Sequence, residues 1–143
     1  MLGIKLNMNV IRKIKPPELI RYLFFISYSL YRRYTIERYN AHNTAILFLS
    51  FGFMLIHTSI IGFTFGYFKK PLLFIVFLIV FIQFYVWFWH KHKWKLYIEE
   101  FKYVSIENQK KHSFLLIIYA ISCIVIASLP IILKEFFDMQ IWK

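Results

Sequence analysis

Cysteine, glycine, proline and acid are all scarce in this chain. Its 143 residues include one cysteine, four glycines and four prolines, and seven acidic residues stand against 18 lysines and arginines. A single cysteine, Cys123, excludes an intrachain disulfide, and its place inside an apolar run makes it a small packing residue. The few glycines build no phosphate cradle, and no P-loop, nucleophile elbow or HExxH stretch is present. His90 and His92 flank one residue, which on a helix sets them about 200° apart and keeps them from sharing an ion. Glu99 and Glu100 are adjacent and near lysines, the pattern of a solvated face. Nothing here argues for an enzyme, a cofactor or a metal centre.

What is abundant is apolar: 59% of residues are hydrophobic and 22% aromatic. A soluble domain of this length has too high a surface-to-volume ratio to hide that much apolar surface. Thr44 to Phe68 and Leu72 to Trp89 are long runs without Asp, Glu, Lys or Arg, separated by Lys69, Lys70 and Pro71. A third run covers 113–133, with Pro130 near its far end. The expected fold is therefore all-α and polytopic, with three transmembrane helices. The first span, at 1.5 Å per residue, is roughly 37 Å long and should tilt or extend into the interface. The first apolar run is too long for the core of a cleavable signal, so it is expected to stay as an anchor.

Residues 1–43 read as a basic cytoplasmic or interfacial segment. After Pro16-Pro17, a helical wheel from Glu18 puts Leu19, Ile20, Leu23, Phe24, Ile26, Leu30, Tyr31 and Tyr34 on one side. Glu18, Arg21, Tyr22, Ser29, Arg32 and Arg33 fall on the other, with Phe25 an apolar exception. Too short and too charged to cross a bilayer, this stretch is expected to form an amphipathic helix at the interface, or a cytoplasmic helix facing an anion. A polar hinge at 40–44 leads into the first span. No Gly or Pro stops the second span, and Trp94, Tyr97, Ile98 and Phe101 keep helical spacing. That span is expected to continue into the cytoplasm as one helix to about Val104, helped by a Lys95–Glu99 pair, with a turn over 105–111. Residues 44–133 thus form the transmembrane domain with a cytoplasmic connection at 91–112, and 134–143 form an outer tail. Fourteen basic residues lie in 1–43 and 91–112 against four elsewhere, which predicts a bacterial inner-membrane protein with a cytoplasmic N-terminus and the C-terminus outside.

Polar residues at bilayer depth are the next candidates. His57 lies 13 residues from both Thr44 and Lys70, and Gln83 lies 13 beyond Lys70, so the two match in depth on an antiparallel hairpin. Matching depth allows a hydrogen bond between them, while spacing alone does not fix which way either side chain faces. His57, Thr58, Ser59, Gln83, Ser122 and Ser128 serve either as interhelical glue or as the lining of a path between protomers. Gly62 and Gly66 form a GxxxG pair, and Ala120, Cys123 and Ala127 a small-residue stripe, both suited to close helix packing. Arg21, Arg32, Arg33, Arg38, Lys91, Lys93 and Lys95, interleaved with aromatics, suit lipid headgroups or an anionic ligand such as a nucleotide or single-stranded nucleic acid.

The run from Arg21 to His57, about a quarter of the chain, resembles uncharacterised small membrane proteins of Bacteroidetes-type bacteria. They share a tyrosine-rich leader, a polar hinge and a first span with a mid-membrane polar residue. In size, span count and basic cytoplasmic helices, the chain also resembles the transmembrane channel effectors of Hailong-type phage-defence systems. That resemblance implies a homo-oligomeric ion path controlled by an anionic ligand. The alternative is a non-enzymatic accessory or scaffold subunit that binds a partner protein.

Overall fold

The computed structural model describes residues 14–34, 38–65 and 70–137. Among them there is no strand. Helix α1 is Glu18–Tyr34, and a 3-10 turn at Arg38–Asn40 leads into α2, Ala41–Phe65. Helix α3 is Lys70–Phe84, α4 is Lys93–Glu100, α5 is Ile106–His112 and α6 is Phe114–Phe137. Three stretches, Ala41–Thr64, Pro71–Glu100 and Ile106–Leu133, are long and apolar enough to cross a membrane.

Each start follows from local chemistry. Pro17 accepts the first N–H bonds of α1, from Ile20 and Arg21. Pro71 sits in the first turn of α3, where a missing N–H costs nothing. The polar hinge at 40–44 is no hinge: α2 begins at Ala41, and Thr44 Oγ1 bonds the Asn40 carbonyl at 3.4 Å. Nor is 105–111 a turn. Ser105 caps α5 by accepting from the Asn108 N–H, and a Glu107–Lys111 ion pair at 3.0 Å spans one helical turn. The chain reverses instead at 101–104, and Glu99 pairs with Lys102 rather than Lys95.

The second span does not run on as one helix. After α3 the backbone makes a π-helical turn at Tyr85–Trp89, with His90 N–H reaching the Tyr85 carbonyl. Lys91 and His92 then take left-handed φ of 54° and 55°. For residues with a Cβ that conformation costs about 1–2 kcal/mol each. Side chains from the following helix stabilise the break. Lys93 Nζ donates to the Val86 carbonyl at 3.0 Å, and Tyr97 OH to the Trp87 carbonyl at 2.8 Å. Apolar spacing continues through this segment, and for that reason the sequence reads as unbroken.

Burial concentrates where α1 meets α2, α4 and the end of the second span. Phe24, Phe84, Phe88 and Tyr97 are fully enclosed there, with Ile46 and Leu49. Phe24 and Phe88 lie 4.9 Å apart, and Tyr97 meets Phe88 edge-on at 5.5 Å. Helix α1 is covered on both of its faces. Phe25, the exception on its polar side, packs with Ile26 and Phe101 because the returning chain at 98–104 covers that side. Leu19 and Tyr34, from the apolar side, are exposed. Away from this core, α3 buries only the Val76, Val80 and Phe84 stripe, and α6 turns a broad isoleucine-rich face outward.

Helices α2 and α6 form the most extensive pairing. Gly52 makes the approach possible, since a Cβ there would sit 2.7 Å from Tyr119 Cζ. Tyr119 OH donates to the Leu49 carbonyl at 2.7 Å. Pro130, inside α6, has no N–H for the Ile126 carbonyl four residues back. Ser59 Oγ on α2 donates to that carbonyl at 2.7 Å. In apolar surroundings an orphaned carbonyl is costly. Ser59→Ala is therefore expected to destabilise by about 1–3 kcal/mol. In a Pro130→Ala background the restored N–H should remove most of that penalty. Unfolding in detergent checks this, and an equal penalty in both backgrounds would break the link between the two residues.

Candidate anion-binding site at the basic end

The predicted mid-membrane pair does not form. His57 Nδ1 bonds the Phe53 carbonyl of its own helix at 2.8 Å, and its ring stacks on Phe53. Among the described residues no hydrogen bond joins it to Gln83, which is half-buried. A histidine four residues from a carbonyl on its own helix face has a nearer acceptor than the opposite helix offers. Of the six polar candidates, Ser59 alone bridges two helices. Ser128 bonds the Val125 carbonyl in its own helix, Thr58 is half-buried and Ser122 is exposed. Gly62 and Cys123 are buried, Ala120 and Ala127 half-buried, and Gly66 lies outside the described residues.

The seven basic candidates separate into distinct places. Arg21 is committed to structure. Its Nε and Nη2 donate to the two Glu100 carboxylate oxygens at 2.9 and 2.7 Å, and Nη1 to the Pro16 carbonyl at 2.7 Å. The hydrogen bond to Glu100 raises its pKa further above the ordinary arginine value. Lys93 is buried as well, with Nζ on the Ile14 and Val86 carbonyls. Both residues were predicted to face an anion, but they hold the fold instead. The side chain of Arg38 lies outside the described residues.

Lys91 and Lys95 are exposed and line a cleft of about 410 Å³ with Lys15, His92 and Tyr97. No carboxylate lines it. Lys95 Nζ lies 5.5 Å over the Trp94 ring, which orients it. The cleft sits on the break, because Lys91 and His92 are the two left-handed residues. The residues flanking the break are tied to the first span: His42 stacks on Trp94 at 4.1 Å and 13°, and Trp89 Nε1 donates to Asn43 Oδ1 at 3.0 Å. Among the described residues no group of three His, Cys, Asp or Glu could hold a metal. Lys15, Lys91 and Lys95 make this lining strongly cationic, and Lys15 lies within electrostatic reach of Glu100.

Arg32 and Arg33 lie apart from this cleft, on the side of α1 that faces α4 and α5. There Tyr22 OH also hydrogen-bonds His112 Nδ1. Burial raises the Tyr22 pKa, so at neutral pH the phenol keeps its proton. Lys102 and Gln109 join the arginines, and neither stood out in the sequence. Their approach depends on a chain reversal that no glycine or proline marks.

The chain matches no protein-family model, no curated protein and no solved structure, so its function is argued from this geometry. The Arg21–Glu100 tie gives a direct check. Because Glu100 is partly exposed, the coupling energy between Arg21→Ala and Glu100→Ala should not exceed about 1 kcal/mol, and it should fall with salt. Strictly additive losses in unfolding measurements would show that the pair contributes nothing.

Proposed function

We propose that this chain crosses a bacterial inner membrane three times, assembles with copies of itself, and forms or gates an ion path under the control of an anion bound at its basic end. The observation that carries this reading is the position of the lysine cleft on the break in the second span. An anion that draws Lys15, Lys91 and Lys95 together changes the balance of forces at the two residues where the apolar helix loses its regular backbone. Ligand binding and the set of that span are thereby coupled, and a ligand shifts such an equilibrium by its differential affinity for the two states.

The outward face of α6 supports assembly. It is the least covered of the three apolar helices, and Ser122 lies on it. An ion path lies between copies in this reading, because the polar residues of one chain bond largely within their own helices. The excess of basic residues at 1–43 and 91–112 supports a cytoplasmic position for that end. The bilayer then covers the apolar belt, and α1 lies where the span ends meet water.

Reconstitution in liposomes tests the reading. Ion flux is expected, and pyrophosphate added on the side of the basic end should alter it. Lys91→Gln with Lys95→Gln should weaken the apparent affinity for pyrophosphate about tenfold or more, since each lost charged contact is worth about 1.5–3 kcal/mol. Absent flux with and without pyrophosphate, together with a monomer in detergent, would refute the ion path. A partner membrane protein co-purifying at equal stoichiometry would favour the accessory-subunit reading instead.

A further inference from the structure

We propose that the cleft between α1, α4 and α5 is a second anion site, separate from the lysine cleft, which takes a phosphate ester carried on an apolar or aromatic body. This deepens the anionic-ligand part of the function proposed above and rests on it, but not on the ion path.

The cleft encloses about 390 Å³, within the range of about 300–1,000 Å³ common for small-ligand pockets. Arg32 and Arg33 of α1 and Lys102 of the reversal line it, and no carboxylate does. Glu99 Oε2 lies 3.4 Å from Lys102 Nζ, in an exposed pair that water screens. The two arginines are held in place before any ligand arrives. Arg32 Nη1 donates to Tyr28 OH at 3.0 Å. Arg33 Nη2 donates to Gln109 Oε1 at 3.1 Å, and Gln109 is itself oriented by its Nε2 bond to the Val104 carbonyl at 2.9 Å. Arg33 Nη1 is left buried with no hydrogen-bond partner.

A buried guanidinium N–H without an acceptor is rare, and its neighbours here are two more cations. An acceptor-rich anion offsets the repulsion among the three cations, and a turn of the Arg33 guanidinium gives its unpartnered Nη1 an acceptor. Phosphate fits best, because it matches the guanidinium fork with parallel N–H···O bonds and carries the charge that three cations call for. Ser29 adds a hydroxyl donor on the same side of α1. Phe25, Ile98 and Ile106 supply an apolar wall, which a bare phosphate would leave unused. The ligand is therefore a phosphate ester with a hydrophobic or aromatic attachment. A nucleotide and an anionic lipid headgroup share that chemistry.

Binding is tested on the full chain in phosphatidylcholine nanodiscs. Adenosine monophosphate is titrated by calorimetry in one arm, and phosphatidic acid is mixed into the bilayer in the other, with the thermal midpoint as readout. Binding in either arm is expected, the first identifying a soluble ester and the second a headgroup. Arg33→Gln and Arg32→Gln should each weaken binding at least about tenfold. Lys102→Gln, on a side chain 75% exposed and therefore harmless to folding, should weaken it by a smaller factor. Lys91→Gln with Lys95→Gln should leave it unchanged. Binding that survives the arginine and Lys102 variants but disappears in the Lys91 and Lys95 variant would overturn this site while keeping the lysine cleft. No binding of either probe would overturn it too, and pyrophosphate control of flux would then decide the lysine cleft on its own.

Discussion

Every main-chain carbonyl in an apolar surrounding needs a donor, and this constraint shapes the molecule more than any pairing of side chains. A regular helix meets it automatically. Among the described residues the chain departs from regular helix at two places inside its apolar segments, and at both a side chain supplies a donor. Ser59 answers the carbonyl that Pro130 leaves open. Lys93 and Tyr97 answer the carbonyls at the break in the second span. These three residues are among the few polar groups placed deep in the protein, and each bonds backbone. Polarity within the helices thus serves irregularity first. This also explains why His57, with a carbonyl of its own helix in reach, does not cross to Gln83.

Charge follows a second logic. Eighteen basic residues face seven acidic ones, so the basic end cannot neutralise itself. One bidentate pair, Arg21 with Glu100, fastens α1 to α4. Lys93 is consumed inside the fold. Among the described residues, Lys15, Lys91 and Lys95 line one cleft and Arg32, Arg33 and Lys102 another, and no carboxylate lines either. The two differ in chemistry: ammonium groups act as mobile point charges, whereas a guanidinium offers a fixed fork. The two clefts thus differ in the kind of cation they present, mobile ammonium groups in one and a guanidinium pair in the other.

The three apolar segments were legible from the sequence because length and uninterrupted hydrophobicity are local properties. So was the concentration of basic residues around them. The break at Lys91 and His92 was not, because left-handed φ there is enforced by Lys93 and Tyr97 reaching back, and apolar spacing runs through it undisturbed. Helix α5 could have been read from Ser105 and the Glu107–Lys111 spacing, but six polar residues out of seven resemble a loop. The division of Arg21 from Arg32 and Arg33 was illegible, since it depends on Glu100, distant in sequence, arriving beside one arginine and not the others. Phe25 was the one local warning that the polar side of α1 meets protein, and it was sufficient to show that the wheel alone does not identify a neighbour.

A continuous α-helix behaves as a stiff rod that carries both push and twist from end to end. Two left-handed residues in succession interrupt that rod at Lys91 and His92. Across the joint, the Lys93 and Tyr97 bonds hold α4 to the end of the second span, and the stacked His42–Trp94 pair holds it to the first. The basic end is thus fastened to two apolar helices at one place.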